Sequence, residues 1–362
     1  MRRLIPVLIV LILGSACKKT VSLLSWERTY GSGNASYVKS TSDSGLIACG
    51  EANNQPFLIR LDRNKMTVLD LKAEMSGIFT SVWYDTSGYI SGGSTDSRML
   101  LMRHSKTGNK LWDKIIDPGF NVDHTQILYT GNGNFIAIGS ASPDTVYNIV
   151  SGLLFLSFDS TGQVISEQKY LNGFFTASGS ADLDNSGNIY LALTRREINS
   201  KQKASIAKFN DGFQLIWEVE LANNPAYGAA ATAVRHDGAG KVYVAGRTEI
   251  PTDGGALNNS FIVSLTDGGS VNWKKYPESS NTGASILINT ADEVLLLNKN
   301  CFIVNILDRD NGVDGGRVRM FDICDPYNTN VIGSDFDLTN NGDIILAGSR
   351  SGSFYLAVKS LP

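Results

Sequence analysis

Short apolar runs bounded by turn residues recur along the chain, and no stretch of any length carries a helical period. Residues 80–117, TSVWYDTSGYISGGSTDSRMLLMRHSKTGNKLWDKIID, show the pattern once in full. They predict four short strands at 81–85, 88–93, 99–104 and 110–116. Turn signals separate them at Asp85-Thr86-Ser87-Gly88 and Lys106-Thr107-Gly108-Asn109.

The second strand of this unit aligns best with other parts of the chain. Its copies are GLIACG at 45–50, GYISGG at 88–93, GNFIAIG at 133–139, GNIYLAL at 187–193, GKVYVAG at 240–246, DEVLLLN at 292–298 and GDIILAG at 342–348. Successive copies close 43 to 54 residues apart. A repeat of pure strand pattern near that period fits a β-propeller blade, at roughly 40–50 residues. Before each second strand lies an innermost strand poor in bulk, with Ala35-Ser36, Thr80-Ser81, Gly179-Ser180-Ala181, 229–231, Ala284-Ser285 and Gly333-Ser334. Strands that converge on an axis leave room only for small side chains. Third strands follow at 57–61, 153–158, 205–209, 261–265, 301–307 and 354–359, and fourth strands carry Trp26, Trp112, Trp217 and Trp273 at a fixed place.

The last unit stops after its third strand, and the first begins with a lone fourth strand at 25–30. Pairing 26–30 with 354–359 would complete a seventh unit and remove two sheet edges. The expected fold is therefore all-β, one domain over 25–362. It is a seven-bladed β-propeller of four-stranded antiparallel blades, closed by the N-terminal strand pairing with the C-terminal blade.

Composition is that of an ordinary globular chain, 42% hydrophobic and 19% charged over 362 residues. The first 16 residues read as a signal peptide, with Arg2 and Arg3 before an apolar run too short to span a bilayer. Without that leader 30 basic residues stand against 35 acidic ones, a net of −5. No basic stripe is available to neutralise phosphates, which argues against nucleic acid as a partner. Gly14-Ser15-Ala16-Cys17 resembles a bacterial lipobox, except that Leu13 lies four residues before the cysteine instead of three. The resemblance implies lipid on Cys17, with 17–24 as a lipidated tether. The Cys17-Lys18-Lys19 start resembles Bacteroidota-type lipoproteins and implies the outer membrane, on its periplasmic side or at the cell surface.

Ser105-Lys-Thr-Gly-Asn-Lys-Leu-Trp112 resembles the tryptophan-docking motif of PQQ-like propeller repeats, with weaker copies at 266–273 and 210–217. Quinoproteins of that family hold their quinone with a vicinal cysteine pair. This sequence has none, so no cofactor is expected. A lipid-anchored propeller also resembles the scaffold lipoprotein of the outer-membrane barrel-assembly machine, a family with eight blades that binds partners.

Candidate chemistry is sparse. Asp182-Leu-Asp184-Asn-Ser186-Gly187 starts like a calcium loop, yet its register falls on a first-to-second-strand turn, where Asx and Gly serve the backbone. No metal is expected. His104, His124 and His236 have no zinc-ligand spacing and read as polar surface residues. Cys49 reads as a buried free thiol. A hairpin of 301–307 with 317–324, centred between Gly312 and Val313, places Cys301 opposite Cys324 in bridging range. A one-residue slip would separate the two, so both a bridge and two thiols stay open.

Fourth-to-first and second-to-third connections share one end of such a fold. They carry Tyr30, Phe120, Phe174, Phe175, Asn223, Asn224, Tyr227, Tyr276, Asn281, Tyr327 and Asn328, and the long insertions 140–152, 194–204 and 247–259. Rings with amides suit a glycan or a protein, while single rings also plug gaps between blades. The expectation is a binding or scaffold module acting through this face, with Phe120, Phe174, Phe175, Asn223, Asn224, Tyr227, Tyr276, Tyr327 and Asn328 as its residues. The alternative is a polysaccharide-acting enzyme using Asp123, Asp335 or Asp337 near the axis, which needs two carboxylates about 5–10 Å apart in one pocket.

Overall fold

A computed structural model describes residues 26–131, 133–141, 152–170, 175–196, 200–222, 228–252, 255–277, 283–289, 291–298, 303–319 and 331–359. They form strands and turns, with no helix among them. The first group comprises β1 (Trp26–Ser40), β2 (Leu46–Ala52), β3 (Gln55–Leu61) and β4 (Thr67–Lys72). Next come β5 (Ile78–Asp85), β6 (Gly88–Thr95), β7 (Arg98–Ser105) and β8 (Lys110–Ile116), then β9 (His124–Gly131), β10 (Asn134–Ser140), β11 (Leu153–Asp159) and β12 (Val164–Tyr170). The fourth group is β13 (Phe175–Leu183), β14 (Ile189–Arg196), β15 (Lys203–Phe209) and β16 (Leu215–Ala222). The fifth is β17 (Ala229–His236), β18 (Lys241–Thr252), β19 (Gly255–Thr266) and β20 (Val271–Lys275). The chain ends with β21 (Gly283–Ile288), β22 (Glu293–Asn298), β23 (Ile303–Asp308) and β24 (Asp314–Arg319), then β25 (Val331–Leu338), β26 (Ile344–Arg350) and β27 (Ser353–Lys359).

Five of these groups are separate four-stranded antiparallel sheets. The remaining strands make one seven-stranded sheet in the order β25-β26-β27-β1-β2-β3-β4. β1 joins its two halves. Trp26 lies opposite Val358 and Thr29 opposite Tyr355, whereas Ala35 lies opposite Gly50 and Ser40 opposite Leu46. The chain changes partner between Ser32, still opposite Ser353, and Gly33, opposite Ala52, just after a bulge at Gly31, whose φ of 64° is a left-handed conformation that glycine adopts without strain.

Burial follows strand position. Every residue of β6 is buried, and all but the first of β3 and β27, so these strands are covered on both faces. The fourth strands β4 and β8 alternate exposed and half-buried positions, as a strand covered on one face must. The core is a series of interfaces between consecutive sheets. Tyr190, Ala192 and Ile206 of one sheet meet Val242, Val244 and Val263 of the next. On its other face that sheet sends Tyr243 and Ala245 against Val294 and Leu296.

A one-residue bulge recurs in the first strands, at Ser36, Thr80, Thr232, Ala284 and Ser334 and across Gly179-Ser180. Such a bulge re-aims the side chain and presses the bent strand onto its partner. It also explains the glycines that close the second strands. A Cβ at Gly50, Gly93 or Gly246 would stand 2.0, 1.9 or 2.0 Å from the carbonyl oxygen of Asn34, Ile78 or Ala230. Gly93→Ala is expected to lower unfolding stability by about 1–3 kcal/mol, because backbone has to move. Chemical denaturation of the two proteins checks this, and an unchanged midpoint would refute the bulge as the cause.

Fourth-strand rings dock on the neighbouring sheet. The indole N–H groups of Trp112, Trp217 and Trp273 donate to the carbonyls of Ser160, Asp267 and Arg309 at 3.1, 3.2 and 3.2 Å. Tyr170 makes the equivalent bond to Phe213 O at 2.7 Å. The turn between β23 and β24 departs from expectation. Asp308 N–H donates to Val313 O and the Asp308 carboxylate accepts from Asp310 N and Asn311 N, which centres the turn earlier. Asn305 therefore faces Arg317, whereas the register that would oppose the two cysteines pairs it with Met320, three residues away. Cys301 and Cys324 lie outside the described residues.

Candidate functional site

The first strand of each sheet has one edge hydrogen-bonded to the second strand and the other facing the next sheet. N–H and C=O groups on that second edge need partners. Polar side chains on the neighbouring first strand supply them. Thr80 Oγ1 and Ser81 Oγ accept from Thr125 N and Ile127 N at 2.9 and 3.0 Å. Gln126 binds Ala181 through both amide atoms, accepting from its N–H and donating to its carbonyl. Ser180 Oγ and Asp182 Oδ2 accept from Val234 N and His236 N at 2.8 and 2.9 Å. Arg235 Nε donates to Ile286 O at 3.1 Å, and Ser285 Oγ donates to Asp335 Oδ1 at 2.6 Å. Asp335 Oδ2 accepts from Val38 N at 3.1 Å, and Asp337 Oδ2 from Ser40 N at 2.7 Å.

These strands line a partly open cavity of about 190 Å³, walled among others by Tyr37, His124, Gln126, Thr232, Arg235 and Asp335. Bulged residues from several sheets reach it, including Ser36, Thr80, Thr232 and Ser334. At about 30 Å³ per molecule the space holds roughly six waters. Burial pushes the Asp335 carboxyl up to about 6, against the lowering effect of Ser285, Val38 and the Arg235 charge. Burial pushes His124 down to about 4, so the ring is neutral at pH 7, and its buried Nε2 has no hydrogen-bond partner among the described residues. Burial opposes the charge on Arg235, but Asp182, Tyr37, Asp335 and Asp337 outweigh it and raise its pKa.

Two of the three carboxylates named for the enzyme alternative have other work. Asp335 and Asp337 both bond the backbone of β1, and Ser285 occupies the second oxygen of Asp335. A glycosidase pair needs oxygens that can reach substrate, so this arrangement does not support one. Asp184, in the segment that starts like a calcium loop, accepts from Ser186 N, Asn188 N and Asn188 Nδ2 at 2.9, 2.9 and 2.7 Å. Lys208 Nζ stands 3.6 Å away, which makes this a turn carboxylate with a cation beside it.

Several sequence expectations need correcting. His104 is not a surface residue. It is 7% exposed near the end of the third strand β7, with its pKa lowered by burial and by Lys110. His124 belongs to the cavity wall. His236 is half-buried and stacks on Tyr190 at 5.1 Å. Phe120 is not a rim residue, since it sits 6% exposed among Ile90, Met99, Leu101 and Val122. Tyr30 plugs a gap, with its ring 6.3 Å from Phe57 and 6.0 Å from Phe354. The insertion at 247–259 is not a loop. β18 and β19 continue paired through it until Thr252 faces Gly255.

Tyr276 is exposed as expected, with the Lys274 ammonium 5.1 Å from its ring centre. Phe175 opens β13 opposite Arg196. Cys49 is a buried free thiol, and burial raises its pKa. Phe174, Asn223, Asn224, Tyr227, Asn281, Tyr327, Asn328 and Cys17 lie outside the described residues. The sequence reading missed Tyr37, Gln126 and Arg235. Arg235 did carry a signal, as the one cation in the first strand AAATAVRH.

No protein-family model matches the chain, and no curated protein matches it in sequence. Solved structures do resemble it. The Neurospora crassa Pan2 WD40 domain is similar over 91% of this chain and 90% of its own, at 12% identity and a TM-score of 0.61. Streptogramin B lyase is similar over 92% of this chain and 98% of its own, at 12% identity and a TM-score of 0.63. YCF48 bound to D1 peptide is similar over 94% and 97%, at 11% identity and a TM-score of 0.58. At such identities the likeness concerns the fold, which is that of β-propeller proteins.

Proposed function

We propose that this chain is a seven-bladed propeller that binds a protein or glycan on its loop-rich end and is held at the outer membrane by lipid on Cys17. The blade count follows from dividing the seven-stranded sheet between Ser32 and Gly33, which leaves β25-β26-β27 with the start of β1 as one blade and the rest as another. The docked tryptophans are consistent with PQQ-like repeats, as a fold and without the quinone.

The observation that carries the binding reading is the long β18–β19 hairpin. Its two strands are 12 residues each, against seven or eight for most of their counterparts, so it extends past its own sheet. The β14–β15 connection, the neighbouring arm in chain order, leaves on the same side, and the exposed Tyr276 follows β20 there. One raised arm beside exposed aromatic surface suits a partner better than a substrate. YCF48, a structure neighbour, is recorded with a peptide bound, so one propeller of this general shape takes a peptide.

Replacing residues 249–258 by a two-residue turn tests the reading. Binding of the parent to a glycan array or to purified outer-membrane proteins should be lost, with the melting temperature unchanged. Retained binding would remove the hairpin from the site. Tritiated palmitate should label the parent and not Cys17→Ser, and equal labelling of both would overturn the anchor.

A further inference from the structure

Third-to-fourth-strand turns place one residue in the left-handed region. In four turns it is Gly108, Gly162, Gly269 or Gly312, with φ between 66° and 89°. Three of these glycines lie under a tryptophan of the preceding fourth strand. A Cβ at Gly162, Gly269 or Gly312 would come 3.0, 3.3 or 2.8 Å from the ring of Trp112, Trp217 or Trp273. Trp26 holds the corresponding place at the seam, opposite Val358 where Trp112 is opposite Arg103 and Trp273 opposite Ser264. The turn it faces is different. Its left-handed residue is Lys65, with φ 63°.

A pocket of about 540 Å³ lies at this seam, lined by Trp26, Arg63, Asn64, Lys65, Asn340 and Asn341 among others. That is within the roughly 300–1,000 Å³ of small-molecule sites. Unlike its three counterparts, the Trp26 indole N–H makes no hydrogen bond among the described residues. Apart from Trp26, Val358 is the one apolar side chain among the described residues of the lining, so an apolar peptide has little to bury against them. One aromatic ring, three amides and two cations are a sugar-binding composition with a preference for acid groups. The nearby acids leave that preference in place. Asp343 and Asp62 both act on the Lys65 charge, but Asp62 lies outside the lining and accepts from Asn64 N and Met66 N at 2.8 and 2.9 Å, which leaves Asp343 as one acid against two cations in the lining.

We propose that the seam pocket binds an acidic saccharide of one or two rings, with Trp26 as the stacking face and Lys65 and Arg63 as the groups that select its carboxylate. The site is distinct from the loop-rich end and independent of what binds there. Lys65 stands where four of the other turns have glycine and the β15–β16 turn has Phe213.

Titration of the full chain with digalacturonate, and with uncharged galactobiose as control, tests this by calorimetry and tryptophan fluorescence. The acid should bind saturably and at least tenfold more tightly than the control. Lys65→Gly should abolish that binding without lowering the melting temperature, since glycine suits the positive φ. The hairpin replacement at 249–258 should leave it unchanged. No saturable binding, equal binding of the two sugars, or full binding by Lys65→Gly would each overturn the proposal.

Discussion

Deleting residues 1–31 is expected to abolish cooperative folding, although 331 residues and every other strand remain. The deletion uncovers β27, which is buried at all but its first position. It removes Trp26 and Tyr30 from a cluster that includes Phe57, Phe354, Leu356 and Val358. Phe57 and Phe354 pack edge to face at 5.1 Å, and Tyr30 covers Phe354 at 6.0 Å. Glu27 is lost with them, and it accepts from Tyr355 Oη and Arg350 Nη1 at 2.6 Å each. Removing a fully buried aromatic costs about 3–5 kcal/mol, and the half-buried Trp26 and Tyr30 each cost part of that. Together with the lost β27 pairing and the Glu27 bonds, that is a large part of the roughly 5–15 kcal/mol that holds a typical protein folded. The bare β27 edge then invites pairing between molecules, so sedimentation should show aggregates. A synthetic peptide spanning residues 25–32 should restore a monomer with a single melting transition. A truncated chain that melts cooperatively as a monomer without peptide would refute the seam as the element that completes the fold.

The seam was legible because both ends of the chain are incomplete units, and incompleteness survives any error in strand boundaries. The second strands were legible as apolar runs with a closing glycine, but the reason for the glycine was not. Gly93 is required because Thr80 bulges, and a bulge is a long-range fit between strands that leaves no local mark. The bulges also hid the cavity. Each inserts one residue into an alternating pattern, so inward and outward positions exchange beyond it. Tyr37 and Arg235 lie past such points, whereas the alternation in β25 placed Asp335 and Asp337 near the axis but not against β1. Small residues in the first strands were read as crowding alone. Ser81, Ser180 and Ser285 are small for that reason and hydroxylic for another, because each binds the next strand. Exposure of loop aromatics was the weakest inference. Phe120 and Tyr276 both follow a fourth strand, and only the neighbouring sheet decides that the first is buried and the second is not.

Asp335 and His124 should give opposite pH dependences of stability, and single variants should expose each. The Asp335 carboxyl is buried beside Ser285, with Arg235, Tyr37 and Asp337 as its charged or titratable neighbours, and titrates at about 6 against an ordinary value of 3.8. Between those values the folded protein binds the proton and the unfolded chain does not, so stability falls as pH rises. His124, with Asp123 beside it, titrates at about 4 against 6.5. Between those values the unfolded chain binds the proton and the folded protein does not, so stability rises with pH. Each shift is worth about 3 kcal/mol at 1.36 kcal/mol per pKa unit, and in the parent the two nearly cancel. Asp335→Asn should therefore lose about 3 kcal/mol on acidification from pH 6.5 to 4, relative to the double variant with His124→Asn. His124→Asn alone should gain a similar amount from pH 6 to 4 on the same reference. Using the double variant as reference removes the contribution of every other carboxylate. Urea unfolding at intervals of half a pH unit measures all three slopes. Parallel curves for the two single variants would mean that neither group is held out of water, and the cavity would then be an open, hydrated channel.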